Sequence, residues 1–289
     1  MPPCEYWFES HDGLRLFGRV YPGPTPAAPV VLCLHGLMRN SRDFEDLAPH
    51  LSSRYRVIVP DVRGRGFSAR DPKPENYQVP VYIKDLEPLF NGLGVERAAI
   101  VGTSMGGLIA MVLAALQPAR VARIVLNDVG PEIDPVGLER IRGYAGKGPA
   151  VQTWAGAVAQ MQSMFASAWP GIDPGRWEAL ARRSYRASTA GVVEADADPR
   201  IGDVIRSAPP TATDLWPLWR SLAKVPVLAL RGALSDVLSV TTLERMQREK
   251  PDLQAVTIPG RGHAPLLDEA ESLAAIDAFL AAGGPTAAP

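Results

Sequence analysis

Short, mainly apolar runs recur along the chain at 30–34, 56–60, 98–102, 122–127, 226–231 and 253–258. Runs of this length and continuity predict strands buried on both faces. Between them, segments 42–52, 80–92, 105–117, 241–250 and 267–281 space their apolar residues for one face of a helix. Strands and helices in alternation predict a parallel sheet covered on both sides. The N-terminal stretch is different: Glu5–Glu9 and Leu14–Tyr21 alternate about a His11-Asp12-Gly13 turn, which predicts an antiparallel pair, and Pro22–Pro29 is a Pro-rich loop. The expectation is an α/β fold with a mostly parallel eight-stranded sheet and helices on both faces.

The alternation is interrupted between Asn127 and Val225. Segment 131–222 reads as helices at 135–144, 151–167, 174–188 and 214–222, with an extended piece around Asp198-Pro199. This predicts a helical cap inserted in a core domain made of 1–130 and 223–289, over the strand C-terminal edge where open α/β sheets bind ligands. The cap is rich in large apolar residues: Trp154, Met161, Met164, Phe165, Trp169 and Trp177. Trp154, Met161 and Phe165 are expected to line a substrate pocket, with Leu138 and Ile141 as alternative lining. Trp216, Pro217 and Trp219 are expected to anchor the returning cap, and the tail 283–289 to be loose.

Chemistry concentrates at 97–117. Ala98–Val101 is strand-like, Gly102-Thr103-Ser104-Met105-Gly106 is G-x-S-x-G, and a helical run follows until Pro118. A strand turning sharply into a helix exposes the corner residue, which makes Ser104 the candidate nucleophile. A serine hydroxyl needs a base, an orienting acid and a site for the developing oxyanion. Of the 4 histidines, His11 and His50 read as solvated surface, and His35 ends an early strand. His263, flanked by Gly262 and following the strand at 253–258, is the expected base. Asp236, on the loop after 226–231, is the expected acid; Asp128, directly after the strand at 122–127, is its rival. Backbone N–H groups of Leu37, after the strand at 30–34, and of Met105 would form the oxyanion hole, leaving the Leu37 and Met38 side chains free to line a pocket. Arg39 stands at the pocket mouth, either to hold a substrate carboxylate or simply as a loop charge.

These residues, with Asp61-Val62-Arg63-Gly64-Arg65-Gly66-Phe67-Ser68 and Arg231–Asp236, resemble the α/β-hydrolase superfamily in order and spacing over nearly the whole chain. The resemblance places the chain in the serine-nucleophile, carboxylesterase-like branch and casts Asp61 and Arg63 as scaffold. It implies hydrolysis of a carboxylic ester of a small apolar substrate through an acyl-enzyme, with no cofactor and no metal. Relatives that hydrolyse carbon–carbon bonds or enol-lactones share Ser104-Met105-Gly106-Gly107. The carbon–carbon hydrolases carry a Gly-Pro-rich oxyanion loop and a Trp after the base, where this chain has Leu37-Met38-Arg39-Asn40 and Ala264-Pro265. A hydrolase-like ligand receptor with slow turnover is the reading from another class.

Composition narrows the picture little further. At 289 residues, 46% hydrophobic and 21% charged, the chain can bury one large core. A net charge of −1 without a basic run argues against a nucleic-acid partner. Met1–Ser10 lacks the features of a secretory leader, and no apolar stretch is long enough to span a bilayer. Cys4 and Cys33 do not read as a staple. A cytoplasmic monomer or homodimer acting on a small-molecule ester, without a membrane partner, is expected.

Overall fold

The computed structural model describes residues 2–147, 151–207 and 214–282; the tail 283–289 lies outside the described residues. The sheet strands are β1 (Cys4–Glu9), β2 (Arg15–Tyr21), β3 (Val30–Leu34), β4 (Arg56–Asp61), β5 (Ala98–Thr103) and β6 (Val121–Asn127). After a long insertion come β9 (Val227–Gly232) and β10 (Gln254–Ile258). They form one eight-stranded sheet in the order β1-β2-β4-β3-β5-β6-β9-β10. Only β1/β2 and β2/β4 pair antiparallel. The other pairs are parallel, as the alternating pattern predicts.

Helices α2 (Val79–Gly92) and α3 (Met105–Leu116) cover one face, and α1 (Leu47–Ser52) and α10 (Ala270–Ala281) the other. Alternate residues of the central strands divide between them: Leu32, Ile100 and Ile124 join the first core, Val31, Val101 and Val125 the second. The remaining core helix, α9 (Val240–Glu249), follows β9. Among the described residues no helix is long and apolar enough to cross a membrane.

The insertion carries α4 (Pro135–Tyr144), α5 (Trp154–Phe165), α6 (Pro174–Ser184), β7 (Tyr185–Ala187), β8 (Val193–Ala195), α7 (Arg200–Ser207) and α8 (Trp216–Ser221). Two of these depart from the sequence expectation. The third helix ends at Ser184, and 185–187 pairs antiparallel with 193–195. The turn between them depends on Gly191 at φ 76°. Helix α7 follows the expected extended piece at Asp198-Pro199 without a sequence signal of its own; Asp198 precedes it, its Oδ1 accepting the Arg200 N–H at 3.0 Å. Trp216 and Trp219 are buried in the core that includes α3, in the anchoring position expected of them.

Candidate active site

At the β5–α3 junction Ser104 has φ 52° and ψ −114°, a conformation that costs a non-glycine residue energy and is held by its surroundings. The flanking glycines explain how. A Cβ on Gly102 would overlap the Gly106 carbonyl, and one on Gly106 would overlap the Leu34 carbonyl of β3. Both obstacles are backbone and cannot move aside. Gly106→Ala is expected to destabilise the fold by about 3 kcal/mol, a fall in Tm of roughly 5–10 °C. A thermal melt within a degree of wild type would contradict this.

Three side chains form one line of hydrogen bonds above the sheet edge. The Asp128 carboxylate only accepts, so His263 carries its proton on Nδ1 and donates it to Asp128 Oδ2 at 2.8 Å. Nε2 is then the acceptor, and Ser104 Oγ–H donates to it at 2.9 Å. Asp128 is fully buried, yet each oxygen is satisfied: Gly232 N–H donates to Oδ1 at 2.8 Å and Ser235 Oγ–H to Oδ2 at 2.6 Å.

This corrects the expectation for the acid. Asp236 does not meet His263; Arg140 of α4 binds its carboxylate two-pronged, with Nη2 to Oδ1 at 2.7 Å and Nε to Oδ2. Burial would raise the Asp236 carboxyl, but the Arg140 guanidinium reverses this and holds it below its ordinary value. Register explains the choice. Thr103 of β5 lies beside Asn127 of β6, so the next residues, Ser104 and Asp128, leave adjacent strands at the same height. Asp236 lies one strand further away and several residues out along its loop. The β9 loop still serves the site through its neighbour Ser235.

The histidine loop is pinned from both sides. Gly262 N–H donates to the Ala168 carbonyl at 2.6 Å, Trp169 Nε1 to the Ala264 carbonyl at 2.8 Å, and Asn127 Nδ2 to the Pro265 carbonyl at 2.9 Å. Sequence patterning marked Trp169 as apolar but gave no sign of this role. On the opposite side buried Arg65 donates Nε to the Leu37 carbonyl at 2.9 Å and Nη2 to Met105 Sδ at 3.5 Å, tying the loop after β3 to the start of α3. His35 is structural: Nδ1 donates to the Gly36 carbonyl at 2.7 Å, Nε2 accepts the Val62 N–H at 3.0 Å, and burial pushes the imidazole down to about 4. Asp61 accepts the Ser41 and Phe67 N–H groups, and Arg63 pairs with Asp12, Asp71 and Asp85, so both hold loops in place. The one acidic and histidine cluster among the described residues, His11, Asp12 and Asp85, surrounds the Arg63 guanidinium and is an ion-pair network, a poor setting for a second cation.

Ser104 and His263 open into a cavity of about 530 Å³. Leu37, Met38 and Met105 line it from the core, and Ile141, Tyr144, Phe165 and Trp169 from the insertion. Of the expected lining residues, Phe165 is on this wall. Trp154 is not: it packs in the insertion's own core with the Arg182 guanidinium 4.3 Å from its ring centre. Met161 is buried and faces a second cavity. Tyr144 was missed because a single aromatic at the end of a mostly polar helix carries no pattern. Arg39 lines the first cavity, but Nε donates to both Asp43 oxygens at 2.8 and 3.0 Å and Nη1 to Ser184 Oγ at 2.5 Å. Its charge is already matched.

Sheet order, junction and cavity together agree with the comparison to known proteins. The family described as alpha/beta hydrolase fold matches residues 29–270, and the chain belongs to it. A 3-hydroxybutyrate-oligomer hydrolase of Cupriavidus necator is 37% identical over 262 residues, covering 88% of this chain and 89% of that protein. A 2-(acetamidomethylene)succinate hydrolase of Mesorhizobium japonicum is 30% identical, covering 82% of each. The crystal structure of an alpha/beta hydrolase from Novosphingobium aromaticivorans is 44% identical with a TM-score of 0.90, covering 97% of this chain and 98% of that one.

Proposed function

We propose that this chain is a serine hydrolase of carboxylic esters, with Ser104 as nucleophile, His263 as base and Asp128 as orienting acid. The observation that carries the reading is the continuous line from Ser104 Oγ through His263 to Asp128, opening into an apolar cavity. Ser104 Oγ attacks the ester carbonyl as its proton passes to His263 Nε2. The imidazolium faces the Asp128 carboxylate, and the new oxyanion is met by the backbone N–H groups of Leu37 and Met105. The first N–H groups of a helix have no partner within it, and Met105 begins α3. Collapse expels the alcohol, which takes the proton from His263; water then attacks the acyl-enzyme by the same route and releases the acid. The insertion acts as a cap that sets substrate range through apolar contact.

The similarity to the 3-hydroxybutyrate-oligomer hydrolase supports the ester, since oligomers of a hydroxy acid are joined by ester bonds. A panel of p-nitrophenyl esters, enol-lactones and ring-cleavage diketones tests the reaction type. Repeated turnover on the esters is expected. Turnover confined to diketones or lactones, or a single slow burst, would overturn the reading. Within the panel, Phe165→Ala is expected to cost roughly ten- to a hundredfold in kcat/KM on long acyl chains and much less on the acetate. Equal losses on every ester would instead make Phe165 a packing residue.

A further inference from the structure

Beside the catalytic cavity lies a second one of about 450 Å³, enclosed by the insertion and the Met38-Arg39 loop. The two share the walls Met38, Arg39, Tyr144 and Phe165. Their electrostatics differ. The catalytic cavity's cations are Arg39 and Arg183, and both are matched, Arg39 by Asp43 and Arg183 by Asp46 at 2.8 Å. The second cavity is also lined by Arg70 and Lys147, which make no ion pair among the described residues. Among its described lining residues the one acid, Glu194, is held by Arg186 at 3.1 Å. The second cavity therefore carries two positive charges without a direct ion pair among the described residues, whereas both guanidinium groups of the first chamber are paired. Asp196, close enough to feel Arg70, is already held by Arg42 and Arg186.

Resting on the ester-hydrolase reading above, we propose that the second cavity is a carboxylate subsite. It takes the acid end of a short linear oligoester whose scissile ester lies at Ser104, with Arg70 and Lys147 as the groups that recognise it. A chain laid across the shared wall presents its ester to the apolar chamber and its free carboxylate to the basic one. Both ends then meet matching chemistry, and a substrate without the carboxylate loses charge-assisted contacts. Tyr144 and Phe165, aromatic and common to both chambers, supply the surface between.

The test compares a linear trimer of 3-hydroxybutyrate as the free acid with the same trimer capped as its methyl ester. Wild-type enzyme is expected to favour the free acid roughly ten- to a hundredfold in kcat/KM, mainly through KM. The preference should shrink as salt is raised, because both basic groups are exposed. In Arg70→Gln/Lys147→Gln the ratio should fall towards one, whereas Lys224→Gln, an exposed charge outside the cavity, should leave it unchanged. Equal rates on acid and capped trimer in wild type, with p-nitrophenyl esters still turned over, would overturn the subsite alone. Failure on every ester would remove the reading beneath it as well. The wild-type comparison needs no variant to fold.

Discussion

Asp128→Asn is expected to lower kcat by about three to four orders of magnitude, and Asp236→Asn to leave it within about tenfold. The Asp128 carboxylate is a pure acceptor and fixes the His263 proton on Nδ1, so that Nε2 is free to take the proton of Ser104. An amide in its place can turn its NH2 towards Nδ1 and stabilise the opposite tautomer, with Nε2 already protonated. The charge that would balance the imidazolium also disappears from a fully buried position. Asp236 faces different consequences. Its partner is Arg140, both side chains are about 30% exposed, and such a pair contributes about 0–1 kcal/mol. An asparagine there still offers an oxygen to the guanidinium. Rates on one p-nitrophenyl ester, with circular dichroism and thermal melts confirming that both variants fold, decide the matter. If Asp236→Asn were the crippling change, His263 would have to turn to the other acid during catalysis.

That His263 meets Asp128 and not Asp236 shows where sequence reasoning loses its grip. Buried strands announce themselves by composition, and the predicted runs at 30–34, 56–60 and 98–102 lie within a residue of β3, β4 and β5. The serine junction is legible because two glycines and a change of periodicity fall within a few residues. A rule of chain order, in contrast, is satisfied equally by Asp128 and Asp236, since both lie between Ser104 and His263. What separates them is strand adjacency and the presence of Arg140, neither of which is written near either aspartate. The cap residues fail for a related reason. Trp154, Met161 and Phe165 share one helix, but α5 packs against α6 as well as over the site, so one face serves the insertion's own core. Apolar patterning identifies that a face is buried and says nothing about what buries it. The second cavity escaped notice because Arg70 and Lys147 are isolated charges in loops, brought together only by the fold.

Ser104→Ala is expected to reduce kcat roughly a millionfold while leaving the fold intact, and a fluorophosphonate is expected to add once to the wild type, at Ser104. The hydroxyl is the reacting atom, so its loss removes the covalent route and leaves whatever the backbone donors and the cavity contribute alone. Alanine can take the same corner, since the cramped positions are Gly102 and Gly106 and the Ser104 side chain faces the cavity. Ser235 provides an internal control. It too is a hydroxyl within the hydrogen-bonded group, but it donates to the weakly basic Asp128 carboxylate and accepts from the Val237 and Leu238 N–H groups at 3.1 Å, with no imidazole to take its proton. Nucleophilic reactivity requires a hydroxyl facing an imidazole acceptor, and in the described line of bonds that is Ser104. Intact-mass measurement followed by peptide mapping should place the adduct on the peptide containing Ser104, and the Ser104→Ala protein should remain unlabelled. An adduct on Ser235 or Ser184, or undiminished ester turnover by Ser104→Ala, would mean that the reacting group is not Ser104.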